Sequence, residues 1–382
     1  MLKNKTNTDV RVEELESIRA IAALFIVLLH FPKFNPIVDG VFINNSGYMV
    51  ELFFVLSGFV IYKAYNDRIK NINDVARFQF LRLGRIYPVH FLFLIVFLSF
   101  EIIKYIAYHK YNISSGNSLP FRENNWSVFF KNLFLIQGIG SKNTLLTFNY
   151  VSWSISVEFI AYFVFALLIL LIPKHKIFSF IIIAFLSILA NISGNDSDFK
   201  QLLDCFGGFF IGCIIAFVCE KYEFKFPRYS SLIIFSSLAI YLTFNHTLFT
   251  SFIVYCFSAA LIIAISKSSD DGFKAILRTP VLIYLGQISY SIYMAHPAVE
   301  WVINQIVRKL FHPIEHIDPN NGFLVPSLGV FETLSLVFVA YAVTIILAGL
   351  VYHYIEQPLR LKSRILADKL FNKKNNVLLE NV

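Results

Sequence analysis

The chain has 382 residues, of which 57% are hydrophobic and only 15% charged, and its mean hydropathy is +0.63. These proportions exclude an ordinary soluble domain and leave a polytopic membrane protein. The net charge of +8 falls on alternate short loops, where insertion topology and anionic headgroups explain it, so no nucleic-acid partner is expected.

Apolar runs set against turn and charge clusters predict about ten spans, roughly 17–32, 47–66, 86–107, 151–172, 177–193, 201–219, 230–245, 249–266, 281–303 and 331–353. The expected fold is an all-α transmembrane bundle forming one domain over 1–382, with a basic tail from 354. Lys and Arg crowd the loops on one side, which places both termini in the cytoplasm. No small-residue cleavage site follows any run, so no secretory signal is expected. Cys205, Cys213, Cys219 and Cys256 lie in apolar runs without metal-type spacing and read as small core residues. Between the third and fourth spans, Trp126–Gln137 looks like an amphipathic interfacial stretch.

The first span carries Arg19 and His30 within "ELESIRAIAALFIVLLHF". Eleven residues make about three helical turns, so both side chains lie on one face about 16 Å apart. Arg19 alone would pass as a snorkelling anchor. His30 sits about 20 Å above the inner edge, and Pro32 follows at once, so this helix has to end in protein or beside water. The second span carries Glu51 a little below its outer end.

Arg77, Arg82 and Arg85 come just before the third span, in "RFQFLRLGRIYPVHF". Positive-inside charge would account for some basic residues here, but arginine at all three places suits bidentate phosphate contact. Together with Arg19 they suggest a phosphorylated cytosolic ligand, long enough to carry reactive chemistry to the outer histidine; coenzyme A has that shape. The fourth span adds Trp153, Ser154, Ser156 and Glu158. The ninth adds Tyr290, Ser291, Tyr293 and His296, again with a proline shortly after the histidine. Two imidazoles and two carboxylates, His30, His296, Glu51 and Glu158, thus come out in the outer half of the membrane, where ionisable groups face a cavity or a partner.

These residues carry a resemblance. The chain resembles the integral-membrane acyltransferase-3 family, O-acyltransferases of bacterial surface polysaccharides and related glycans. The likeness rests on Arg19 and His30, "ELFFVLSGFVIY" at Glu51–Tyr62, Arg82 and Arg85 before "IYPVHF", "WSISVEF" at Trp153–Phe159, "LGQISYSIYMAHP" at Leu285–Pro297 and "YHYIEQPLR" at Tyr352–Arg360. The resemblance implies a bacterial inner-membrane enzyme with no permanently bound cofactor or metal. Its co-substrate would be acyl-CoA, most simply acetyl-CoA, and its acceptor a hydroxyl of an extracytoplasmic glycan or lipid-linked saccharide.

Carried over residue by residue, His30 would be the base, and Arg19, Arg82 and Arg85, with Arg77 nearby, would hold the donor's phosphates. Glu51 or Glu158 would support the imidazole, and Tyr290, Ser291, Tyr293, His296 and Trp153 would line the acceptor side. Ser17-Ile18-Arg19-Ala20 lacks the glycine that often flanks this arginine in the family, and Glu51 stands where an aspartate is common. The chain ends soon after the last expected span, so the hydrolase-like domain of some relatives is expected to be absent or supplied in trans. No Gly-x-Ser-x-Gly elbow appears, which favours direct transfer over an acyl-enzyme.

Two other classes fit part of the pattern. A secondary transporter also uses broken helices with midplane ionisable groups, but the sequence shows no corresponding halves. "HPIEH" at His312–His316 matches a zinc-hydrolase pattern, which needs a helix that Pro313 and the following "DPNNG" oppose.

Overall fold

The computed structural model describes residues 12–113, 119–140, 147–193, 198–223, 225–244, 247–311, 314–317 and 324–371. Helix α1 (Glu13–His30) opens with Glu13, Glu14 and Glu16, whose charge suits a helix N-terminus. It ends where Phe31 turns extended, because a residue before proline avoids the helical region. A 3-10 turn at Pro36–Val38 and the short α2 (Val41–Asn45) lead to α3 (Met49–Tyr65).

Helix α4 (Ile72–Tyr111) runs 40 residues from an Asn71–Asp74 capping box to a left-handed Asn112. At helical rise it is about 60 Å long, roughly twice the hydrocarbon core. Arg77, Arg82 and Arg85 therefore sit on an extension of the third span rather than in a loop. Helix α5 (Trp126–Leu133), capped by Asn125, occupies the expected interfacial stretch. Next come α6 (Trp153–Leu171), α7 (Lys176–Ile192), α8 (Lys200–Lys221), α9 (Ser230–Tyr241), α10 (Thr250–Lys267) and α11 (Gly272–Leu277).

The expected ninth span is two helices, α12 (Pro280–Gln287) and α13 (Ser289–Phe311), separated at Ile288. Gly286 brings α12 against α1, since a Cβ there would overlap the Glu16 carbonyl. A two-stranded hairpin, β1 (Glu315–Ile317) with β2 (Leu324–Pro326), precedes α14 (Val330–Val351). A π-helical turn at Tyr352–Glu356 carries the chain into α15 (Gln357–Phe371), so the start of the expected basic tail is helical.

All ten expected segments fall on helices, and among the described residues six helices are long and apolar enough to cross a membrane by length and composition; α7 and α9 are apolar but shorter. Helix α1 carries too much charge for that class, and α12 and α13 divide their segment. Large apolar side chains such as Leu171, Phe185 and Phe338 lie on the outer surface, as befits an all-α membrane protein whose exterior meets lipid.

The core gathers around α3 and α8. Gly58 and Gly212 let these helices touch, because a Cβ on either would overlap the other helix's carbonyl, at Phe209 and Val55 respectively. Ser17 hydroxyl donates to the Leu277 carbonyl and Tyr341 hydroxyl to that of Leu24, at 2.8 Å, tying α1 to the elements around it. Helix α1 thereby becomes a fixed post with Arg19 near one end and His30 at the other. Cys205, Cys213 and Cys219 are buried as expected, but Cys256 is exposed; all four are free thiols.

Candidate active site

The C-terminal end of α1 brings His30 to His296 of α13. Their Nδ1 and Nε2 atoms are 3.1 Å apart, and the rings lie nearly parallel with centroids at 5.2 Å. His296 Nδ1 is 3.3 Å from the Ile292 carbonyl oxygen, an acceptor only, so that nitrogen carries the hydrogen. Its Nε2 is then a lone pair and His30 Nδ1 has to donate to it, a role that also suits the contact of His30 with the Ile26 carbonyl. The Nε2 of His30 is left unprotonated, the form a base requires. His296 is fully buried, whereas His30 is half-buried.

Tyr150, in a 3-10 turn before α6, sets its ring edge-on to His30 with centroids 5.0 Å apart. Its hydroxyl faces Glu300 Oε2 at 3.5 Å, and the neighbouring Asn149 side chain donates to the Met294 carbonyl at 2.9 Å. Glu300 and Tyr150 were not among the expected site residues. Glu300 follows His296 by four residues, hence on the same helix face; that spacing is the signal that could have found it.

A cavity of about 560 Å³ opens on the other side of Tyr293, within the size range of small-molecule sites. Arg19, Lys63, Arg82, Arg85 and Arg364 line it, against the two carboxylates Glu16 and Glu158. Arg82 stacks over the Tyr65 ring, 5.1 Å from its centroid, and bonds that hydroxyl at 3.0 Å, which fixes its guanidinium. Arg19 and Arg85 make no hydrogen bond among the described residues, so their planar forks are open to a ligand. Arg364, from α15, belongs to a stretch expected only as a basic tail.

Ser154 and Tyr293 also line the cavity; Tyr293 packs on Phe53 near the start of α3, centroids 6.3 Å apart, whereas Arg82 sits over Tyr65 at the opposite end of that helix. Tyr293 hydroxyl donates to the Val151 carbonyl at 2.9 Å and meets Ser154 Oγ at 2.9 Å. Its ring centroid is 5.9 Å from that of His296. Tyr293 thus stands between the basic cavity and the histidine pair.

Other expected residues have different neighbours. Tyr290 lines the basic cavity with its hydroxyl donated to the Ile86 carbonyl at 2.6 Å. Ser291 bonds Glu356 Oε2 at 2.8 Å, and Glu356 interacts electrostatically with Arg85, Arg360 and Arg19. These two therefore lie beside the arginines, since successive helical residues turn about 100° and cannot all face one way. Glu51 accepts from Ser251 at 3.2 Å, and Glu158 from Tyr162 at 2.6 Å; neither hydrogen-bonds His30. Trp153 packs edge-on to Phe54, centroids 6.2 Å apart. Arg77 pairs with Asp368 at 2.6 Å and does not line the cavity.

Of the residues that match the zinc-hydrolase pattern, which the sequence argues against, His312 lies outside the described residues. Glu315 and His316 sit on a strand rather than a helix, Glu315 paired with Arg308 at 3.0 Å and His316 with Ser327 at 2.8 Å. Among the described residues no three His, Cys, Asp or Glu side chains gather as a metal site.

Comparison with known proteins points the same way as the geometry. The acyltransferase-3 model, described as an acyltransferase domain, matches residues 12–353. The acyltransferase MdmB of Streptomyces mycarofaciens is 26% identical over 322 residues, 75% of this chain and 78% of its own length. The putative peptidoglycan O-acetyltransferase YrhL of Bacillus subtilis is 25% identical over 94% of this chain, and the O-acetyltransferase OatA of Staphylococcus aureus is 22% identical over 91%. The chain spans only 56% and 57% of the lengths of these last two. No solved structure matches at comparable significance.

Proposed function

Because the chain belongs to the acyltransferase-3 family, we propose that it is a membrane-bound O-acyltransferase carrying an acyl group, most simply acetyl, from cytoplasmic acyl-CoA to a hydroxyl of an extracytoplasmic glycan. The observation that carries this reading is the cavity itself: five basic side chains at one end and Tyr293, one ring from the His30–His296 pair, at the other. A donor with phosphates at one end and a thioester at the other matches that polarity.

The distribution of Lys and Arg supports both termini in the cytoplasm, with the arginine end inward and the histidine end outward, in a multi-pass protein of about ten spans. The bilayer would be the bacterial inner membrane. The name of the Bacillus relative makes peptidoglycan the first acceptor to try. In the reaction, His30 Nε2 takes the proton of the acceptor hydroxyl as its oxygen attacks the thioester carbonyl. The C–O ester bond forms, the C–S bond breaks, and the imidazolium returns its proton to the departing thiolate. Holding both substrates end to end supplies rate by orientation.

The test is sided. Proteoliposomes loaded with radiolabelled acetyl-CoA are given peptidoglycan fragments or a lipid-linked saccharide outside, and label on the outer glycan is followed. Label that depends on protein and acceptor is expected. Absence of label with every glycan tried, together with no binding of CoA, would overturn the reading and turn attention to solute flux.

A further inference from the structure

The reaction described above gives Glu158 nothing to do, although it lines the cavity. An ionisable group within a span is costly and persists where a ligand or partner uses it. Tyr162 hydroxyl donates to Glu158 Oε1 at 2.6 Å, and Ser57 Oγ lies 3.0 Å from the Tyr162 oxygen. Ser57 and Tyr162 line the same cavity. Tyr162 has one hydroxyl hydrogen, already committed to Glu158, so Ser57 has to donate to Tyr162. Every hydrogen of this chain therefore points along it. What remains for a ligand are acceptors: the lone pairs of Ser57 Oγ and the second oxygen of the Glu158 carboxylate, which makes no hydrogen bond among the described residues.

The chain sits in the middle of the cavity wall. Ser154, Glu158 and Tyr162 follow one another at four-residue spacing on one face of α6. Ser154 meets Tyr293, while Arg82 acts electrostatically on Tyr162, so Glu158 lies between those two. On α3, Ser57 is about 6 Å beyond Phe53, which packs on Tyr293, and about 12 Å short of Tyr65, which carries Arg82. A wall that offers acceptors suits N–H groups and repels phosphate. In coenzyme A, the arm between the phosphates and the thiol carries amide N–H groups.

We propose that Ser57 and Glu158, held in place by Tyr162, form the subsite for the amide-bearing pantetheine arm of the donor. This rests on the acyl-CoA reading above. The arginines take the phosphates, Ser57 and Glu158 accept from the amides, and the thioester is delivered at Tyr293. Because the carboxylate repels phosphate, the same subsite fixes which way round the donor lies. Arg85 also interacts electrostatically with Glu158, so the rival role for Glu158 is a plain counter-charge to the arginines.

The test measures binding to full-length protein in nanodiscs for wild type, Ser57→Ala and Glu158→Gln. Its two probes are CoA and the nucleotide half of CoA, which keeps the phosphates and lacks the arm. Glu158→Gln leaves an oxygen for Tyr162 but turns an N–H donor towards the arm. It is expected to raise Kd for CoA about 10–100-fold, and Ser57→Ala about two- to tenfold. Kd for the nucleotide half should stay within about twofold or fall, which also shows that the variants are folded. CoA affinity that is kept or tightened in Glu158→Gln, as a plain counter-charge predicts, overturns the proposal; so does an equal loss of both probes. If wild type binds neither probe, the acyl-CoA reading itself fails; if wild type binds both and Glu158→Gln loses neither, only the arm subsite falls.

Discussion

The two ends of the site spend their hydrogen bonds differently. At the histidine end His296 commits both ring nitrogens and His30 commits one, so a single lone pair, Nε2 of His30, is left over. At the basic end, Arg19 and Arg85 keep their donors unspent and five cations face two carboxylates. Pre-set polarity suits chemistry and unsatisfied charge suits capture of an anion. Helix α1 carries one residue of each kind and α13 links Tyr290 to His296, so the same two rigid elements hold both ends in register.

If that division is real, substitutions should separate donor affinity from turnover. The largest effect is expected from Arg19→Ala with Arg85→Ala: each charge-assisted contact is worth about 1.5–3 kcal/mol, so Kd for CoA should rise about 10²–10⁴-fold by equilibrium binding. Next is His296→Phe, which removes the acceptor that fixes the His30 tautomer. It should cut kcat about 10–100-fold while leaving CoA affinity within about twofold; a comparable loss of affinity would show that the two ends are not separable. Arg364→Ala removes an exposed cation from the cavity rim and should weaken CoA binding only about two- to fivefold. Arg77→Ala, which breaks a surface pair with Asp368, should leave Kd unchanged and cost about 0.2–1 kcal/mol of stability in thermal unfolding. A large affinity loss there would return Arg77 to the donor site.

The sequence already revealed the axis of the site. Hydropathy located the helices, and helical rise put His30 and His296 at one depth, each shortly followed by a proline. Depth is a property of a single helix, which explains why that estimate succeeded. The direction a side chain faces is set by its neighbours, and there the sequence reading ran out. Glu51 and Glu158 have histidine-like depth but point towards Ser251 and Tyr162. Ser291 turns to Glu356, and Arg364 reaches the cavity only because α15 folds back on α4, where a Cβ on Gly84 would overlap Ser363. Glu300 was hidden in the outer flank of an apolar helix, although its four-residue spacing from His296 was open to view. The break at Ile288 left no proline to mark it.

The most direct measurement is made on purified His30→Ala in nanodiscs, with CoA binding and transfer of radiolabelled acetyl from acetyl-CoA recorded on the same preparation. The account predicts wild-type CoA affinity with transfer reduced to background. Transfer at the wild-type rate, or loss of CoA binding along with transfer, would contradict the assignment of chemistry to the histidine end and capture to the arginines.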